Sequence, residues 1–196
     1  MQSERGKFFN DEFLEAHPFG TVPAAFVGDN KVGVFESNSI MRSVARLGVS
    51  DSLYGKNDPS LSSRIDSFLD ANLVFSREAQ VYMLNYEGVS REGYERMTAA
   101  YEFYLEGLEK SLSLSSFIAG DQLSIVDISF ACEFAQFLRE GHYEEIIKDK
   151  QLELITKQGP NDYPKVFKHL ITLSEREEFS SVMGTYLDWY KGSKAE

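Results

Sequence analysis

The chain has 196 residues, 42% of them hydrophobic, which is enough for a sizeable core in one domain of ordinary size or two small ones. Its 31 Asp and Glu against 20 Lys and Arg give a formal charge of −11, an acidic balance that repels phosphate backbones and anionic lipid heads and so argues against nucleic-acid and membrane-surface partners. The single cysteine, Cys132, has no partner for an internal disulfide, and its setting in ACEFAQF reads as a helix interior, so a buried small apolar residue is expected there.

The opening stretch MQSERGKFF has no apolar signal core, and no run reaches the roughly 18 apolar residues of a spanning helix. The expectation is a cytoplasmic protein. DEFLEAH reads as a short helix that stops at HPFG, because Pro18 disfavours helical geometry at His17 and Gly20 permits a turn. TVPAAFV and KVGVFE are short, β-branched and aromatic, and separated by GDN, which predicts an antiparallel hairpin. Ser37 is then a favoured N-cap for NSIMRSVARLG, whose Ile40, Met41, Val44 and Leu47 fall at helical spacing before Gly48.

GVSDSLYGKNDPS, rich in Gly, Asp, Asn and Pro, separates this part from the rest, and no convincing strand follows it. SLSSRIDSFLDANLVFSREAQVYMLNY predicts a long helix with Leu61, Ile65, Phe68, Leu69, Phe75, Tyr82 and Tyr86 on one broad face, ending at Gly88. REGYERMTAAYEFYLEGLEKSLSL predicts a second, antiparallel helix through Tyr94, Met97, Tyr101, Leu105, Leu108 and Leu112. In FIAGDQLSIVDISFACEFAQFL, Ser124 and Asp127 stand at capping-box spacing, with Leu123 and Ile128 placed as a hydrophobic staple. HYEEIIKDKQLELITKQ, YPKVFKHLITLSE and EFSSVMGTYLDWYKG complete the series as amphipathic helices.

His17, His142 and His169 share no metal-ligand spacing with Cys, Asp or Glu, so no metal is expected. There is no G-x-S-x-G elbow, phosphate loop or dinucleotide fingerprint. What remains is the strand-to-helix turn at Glu36-Ser37, whose amides and helix dipole favour a carboxylate, although by itself such a turn is an ordinary helix cap. Beside it stands Val22-Pro23, with a proline in a strand pattern where it removes a ladder donor. A cis bond there leaves the Val22 backbone free to pair with an extended peptide ligand.

EFLEAHPFGTVPAAFV, VFESNSIMRSVARL and FIAGDQLSIVDISFACEF, in that order and covering nearly the whole chain, resemble the glutathione transferase superfamily. The resemblance implies a mixed α/β plus all-α fold. An incomplete thioredoxin-like part over 1–50, built from the hairpin and its helices, leads through a linker at 51–59 to an all-helical domain over 60–196. It further implies glutathione as cosubstrate, with Pro23 as the cis proline, Val22 pairing with the cysteinyl backbone, and Glu36 and Ser37 holding the γ-glutamyl end. The Ser124–Asp127 box becomes the folding motif of the central helix. Phe68, Phe75 and Tyr82 are the candidates for a hydrophobic pocket that takes an apolar electrophile. A homodimer is expected, because the family commonly dimerises and a lone hairpin needs support.

Three departures accompany the likeness. The β-α-β unit of about 30 residues that opens such domains, with its thiol-activating Tyr, Ser or Cys, has no counterpart before the DEFLEAH helix, and Ser3 is no substitute. Phe8 and Phe9 stand where some classes carry basic or polar residues. Thr21 stands where Lys or Gln is common, and such losses of charge-assisted contacts lower affinity for glutathione. The expected activity is therefore conjugation of glutathione to an apolar electrophile, provided the thiol-activating group is supplied. The alternative is a non-catalytic assembly module, because VFESNSI and EEFSSVMG also resemble the transferase-like domain of the translation elongation factor gamma subunit. A decayed homologue without a function of its own is a third reading.

Overall fold

The computed structural model describes residues 10–48, 50 and 53–192, with backbone alone at 184–186, 188–189 and 191–192. Ser3, Phe8 and Phe9 lie outside the described residues, as do 49, 51 and 52 of the expected linker.

Helix α1 (Asp11–Ala16) starts where the Asn10 side chain accepts a hydrogen bond from Phe13 N at 2.9 Å, and it ends at His17, before the proline. His17 is buried: its ring stacks on Phe35 at 4.5 Å between centroids, and Nε2 bonds Thr21 Oγ1 at 2.6 Å. Strands β1 (Ala24–Val27) and β2 (Val32–Phe35) pair antiparallel, with Ala24 opposite Phe35 and Val27 opposite Val32. Pro23 precedes β1 instead of interrupting it, so its missing N–H breaks no ladder bond within the strand. At Gly33 the hairpin lies directly on α1, and a Cβ there would fall on the backbone of Ala16. The ribbon is thus supported on one side by α1 and also meets α2 (Ser37–Leu47), which in turn reaches the helical part of the protein.

Polar groups make much of that junction. Arg42 Nε donates to Asp66 at 2.6 Å, Tyr54 OH donates to the same carboxylate at 2.8 Å, and Arg46 lies 4.7 Å above the Tyr54 ring. Deeper in, Asn72 Nδ2 donates to Ser129 Oγ at 2.6 Å and Ser129 Oγ donates to Asn38 at 3.2 Å. Single polar residues on three helices are thereby linked in a chain.

Helix α3 (Pro59–Leu84) is capped by Asp58, whose side chain accepts from Ser60 N and Leu61 N, and it packs along α4 (Arg91–Ser111), capped by Ser90. Its buried face runs Ile65, Leu69, Asn72, Phe75, Ala79, Tyr82, one residue every three or four. Helix α5 (Ile125–Phe137) is enclosed on nearly all sides. Phe130, Phe134 and Phe137 are almost fully buried, and each contributes about 1.5–3 kcal/mol relative to exposure. Helices α8 (Pro164–Ser174) and α9 (Glu177–Gly192) pack against it, with short α7 (Gly159–Asp162) leading in.

The capping box at the start of α5 forms as the spacing predicts, and it extends further. Asp127 Oδ2 accepts from Ser124 N (2.9 Å) and Ser124 Oγ (3.0 Å), while Oδ1 accepts from Ile118 N (3.0 Å) and pairs with His169 Nε2 at 2.8 Å. The box therefore ties the preceding turn and α8 to α5.

Three local expectations are corrected. The helix expected over 142–158 is confined to α6 (Glu144–Asp149), because Gln151 takes a positive φ of 58° and the chain then wraps a buried carboxylate. That carboxylate is Glu140, which accepts from Tyr82 OH (2.8 Å), Ile155 N (3.1 Å), Thr156 N (3.1 Å) and Thr156 Oγ1 (3.0 Å). Cys132, expected to be buried, is exposed on α5, since the side of this helix it occupies is not covered by neighbouring elements. Ser37 is the first residue of α2, and Glu36 is the cap position, with no side-chain cap hydrogen bond.

Candidate functional site

A cleft of about 360 Å³ opens between the hairpin and α2 on one side and α3 and α5 on the other. The strand-to-helix turn supplies Glu36 and Ser37, the segment entering β1 supplies Val22 and Pro23, and the Val22–Pro23 peptide bond is cis. All four residues singled out in the sequence for glutathione thus border one cavity.

Glu36 has φ 65° and ψ 130°, a backbone conformation that side-chain-bearing residues rarely adopt. Such strain is held only where the surroundings over-determine it, as they do between a paired strand and a packed helix. Its carboxylate is received by Arg77 of α3, whose Nη2 lies 3.3 and 3.2 Å from the two oxygens. Both side chains are about half exposed (58% for Arg77, 47% for Glu36), so the pair is screened and opens at little cost. No described residue hydrogen-bonds the Ser37 hydroxyl, which stands at the positive end of α2.

The opposite wall differs from expectation. Phe75 and Tyr82 are core residues: Phe75 stacks on Tyr104 at 5.1 Å, and Tyr82 donates to Glu140. Phe68 is partly buried against the core, with the Arg64 guanidinium 5.1 Å above its ring. None of the three lines the cleft, because the buried face of α3 turns toward α4 and α5. The neighbouring face does so instead, through Leu73, Ser76, Arg77, Gln80 and Leu84, and α5 adds Glu133, Gln136 and Phe137. The sequence carried a trace of this second face, because Ser76, Arg77 and Gln80 form a polar stripe flanked by the exposed apolar Leu73 and Leu84.

Glu133 is partly enclosed, and burial raises its carboxyl above the ordinary value. Cys132 beside it is exposed, yet enough protein surrounds the sulfur for desolvation and the Glu133 charge to push the thiol up, which lowers its thiolate fraction. Burial and the Glu140 carboxylate push the Tyr82 hydroxyl far up, so it stays protonated and donates to Glu140. Among the described residues no group of three or more His, Cys, Asp or Glu is placed to hold a metal ion, and no helix is long and apolar enough to cross a membrane.

No family model matches the chain. Elongation factor 1-gamma 2 of Oryza sativa subsp. japonica is 26% identical over 185 residues, covering 88% of this chain and 38% of that protein. Elongation factor 1-gamma of Carassius auratus is 26% identical over 176 residues, covering 88% and 36%. The chain therefore spans well under half the length of these relatives. A glutathione S-transferase-like protein from Lodderomyces elongisporus superposes with a TM-score of 0.73 at 19% identity, covering 94% of this chain and 81% of that one. The fold is that of the glutathione transferases. In this transferase fold the hairpin with α1 and α2 corresponds to part of the thioredoxin-like region, and α3–α9 correspond to the all-helical region. A glutathione transferase from Phanerochaete chrysosporium, in complex with oxidised glutathione, superposes with a TM-score of 0.68 at 20% identity, over 95% of this chain and 81% of that one. One from Methylobacillus flagellatus, with glutathione bound, gives 0.66 at 13% identity over 86% and 78%.

Proposed function

We propose that the protein binds glutathione in the cleft, with the γ-glutamyl end on Glu36 and Ser37 and the cysteinyl backbone along Val22. Residues 1–50 form the glutathione side and 60–196 the side that takes an apolar electrophile. The observation that carries this reading is the convergence of Val22, Pro23, Glu36 and Ser37 on one cavity of a transferase fold, when only the linear order of motifs had linked them. Ser37 offers an unclaimed hydroxyl and a helix N-terminus to a carboxylate, and Glu36 offers a carboxylate to an ammonium. The chemistry is conjugation of the tripeptide thiol to the electrophile. Among the described residues lining the cleft, hydroxyls come only from Ser37 and Ser76, and neither Tyr nor Cys is present. Thiol activation by the chain as described is correspondingly weak. The protein acts as a cytoplasmic homodimer.

A second reading is favoured by the likeness to elongation factor 1-gamma: a non-catalytic module that keeps the transferase fold for assembly in a translation factor complex. Retention on immobilised glutathione and turnover of 1-chloro-2,4-dinitrobenzene separate the two. Binding with turnover supports the enzyme, and binding without turnover leaves a glutathione-binding module. A folded protein that neither binds nor turns over supports assembly alone. Binding that survives the double substitution Glu36→Ala, Ser37→Ala would falsify the site assignment.

A further inference from the structure

Among the described residues, Asp127, Glu140 and Glu133 are carboxylates that the helical part encloses, and Glu133 is treated differently from the other two. Asp127 and Glu140 are fully buried, and each is saturated by four polar contacts. This is what a low-dielectric interior requires of a charge. Glu133, one turn and a half further along α5 from Asp127, is partly buried and points its wall position into the cleft, yet no described residue donates a hydrogen bond to it. Burial alone raises its carboxyl, with no cationic side chain acting in opposition. Arg77, the cation of the same cleft, is engaged with Glu36 on the other side.

Glu133 shares the cleft wall with apolar and amide side chains. Ala79, Met83 and Leu84 of α3 and Phe137 of α5 supply the apolar part, and Gln136 lies beside it. An unpaired carboxylate in a cleft that also presents Met83 and the exposed Leu84 suits an organic cation, through its charge and its apolar stem together. The cleft volume is within the range that holds a small organic molecule.

We propose that the α3–α5 side of the cleft is a binding site for a small apolar molecule carrying an ammonium group, with Glu133 as the counter-ion that selects it. The proposal rests on the reading that this side of the cleft takes the apolar ligand, and it does not depend on glutathione binding at the Val22–Ser37 side. Glu133 also adds to the burial that raises the thiol of its neighbour Cys132, because an anion close to a sulfur disfavours its thiolate.

The test compares 2-naphthylmethylamine with its uncharged counterpart 2-naphthylmethanol by titration calorimetry near neutral pH at physiological salt, without glutathione. The wild type is expected to hold the amine about tenfold more tightly or better, the size of a charge-assisted hydrogen bond. Glu133→Gln is expected to bring the amine down to the level of the alcohol while leaving the alcohol unchanged. Glu145→Gln removes an equal charge from the exposed surface of α6 and is expected to retain the preference. A wild type that does not distinguish the two probes overturns the proposal, as does a preference that survives Glu133→Gln or is lost equally in Glu145→Gln. Glutathione retention by the same samples reports on the Glu36–Ser37 side independently.

Discussion

Substitution of Asp127 by alanine tests how the core of the transferase fold is held. The change removes the acceptor for Ser124 N, Ser124 Oγ, Ile118 N and His169 Nε2, at 2.8 to 3.0 Å. Ser124 and Ile118 are at most 1% exposed and His169 is 8% exposed, so water does not readily replace the lost partner. Each stranded donor costs about 1–3 kcal/mol. Four of them in one network, allowing for local relaxation and the rarity of larger single-site effects, give an expected loss of about 3–5 kcal/mol. For a chain of this size that is a fall in Tm of roughly 6–20 °C. The measurement is urea unfolding followed by circular dichroism, where the midpoint should fall with an unchanged slope. Asp127→Asn retains one acceptor oxygen but turns an N–H toward Ser124 N, so it should fall between alanine and wild type. A double-mutant cycle with His169→Ala should show coupling, since the two side chains touch. A loss below about 1 kcal/mol for Asp127→Ala, or an Asn variant as stable as the wild type, would refute the reasoning.

Gly33→Ala places a Cβ on the Ala16 backbone, which has no side chain to move aside, so a loss of at least about 1–3 kcal/mol is expected, read as a lower Tm. Glu140 has its folded-state carboxyl raised from 4.5 by burial, so between 4.5 and that higher value the folded protein binds more protons than the unfolded chain. Stability contributed by this group must therefore fall as pH rises through that window, and Glu140→Gln should remove that slope in urea midpoints measured across it. Arg77→Gln breaks only a half-exposed pair and should change stability by less than about 1 kcal/mol. Arg42→Gln strikes a 2.6 Å pair with Asp66 in which the arginine is 18% exposed, so its urea midpoint should fall further.

How much of the site was readable depended on where each residue sits in its element. Glu36 and Ser37 were legible because a strand-to-helix turn has a local signature, and Val22-Pro23 because proline is conspicuous near a strand. That the two border one cleft followed from the hairpin, whose Ala24–Phe35 pairing sets the two segments side by side. The aromatic candidates failed for a related reason. Phe68, Phe75 and Tyr82 were correctly placed on an apolar face of α3, but such a face packs into the core, and the cleft took the adjacent, more polar face. Glu133 carried no local signal, and Arg77 only its place in a polar stripe of α3, since their importance lies in what faces them across the cleft. The extra reach of the Asp127 box to Ile118 and His169 was invisible for the same reason.

The capping box of α5, the hairpin, the central apolar helix and the order of motifs were determined by the sequence alone, because each depends on residues within a few positions of one another. The tertiary structure decided which face of α3 meets the cleft, which carboxylates are saturated and which is left open, and where the chain after α6 stops being helical. Those outcomes depend on side chains 15 to 58 residues apart, as in the bonds from Glu140 to Thr156 on one side and Tyr82 on the other, and no local pattern encodes such distances. The turn at Glu36-Ser37 joins the two levels: its helix start is local, and its ion pair with Arg77 spans 41 positions of the chain.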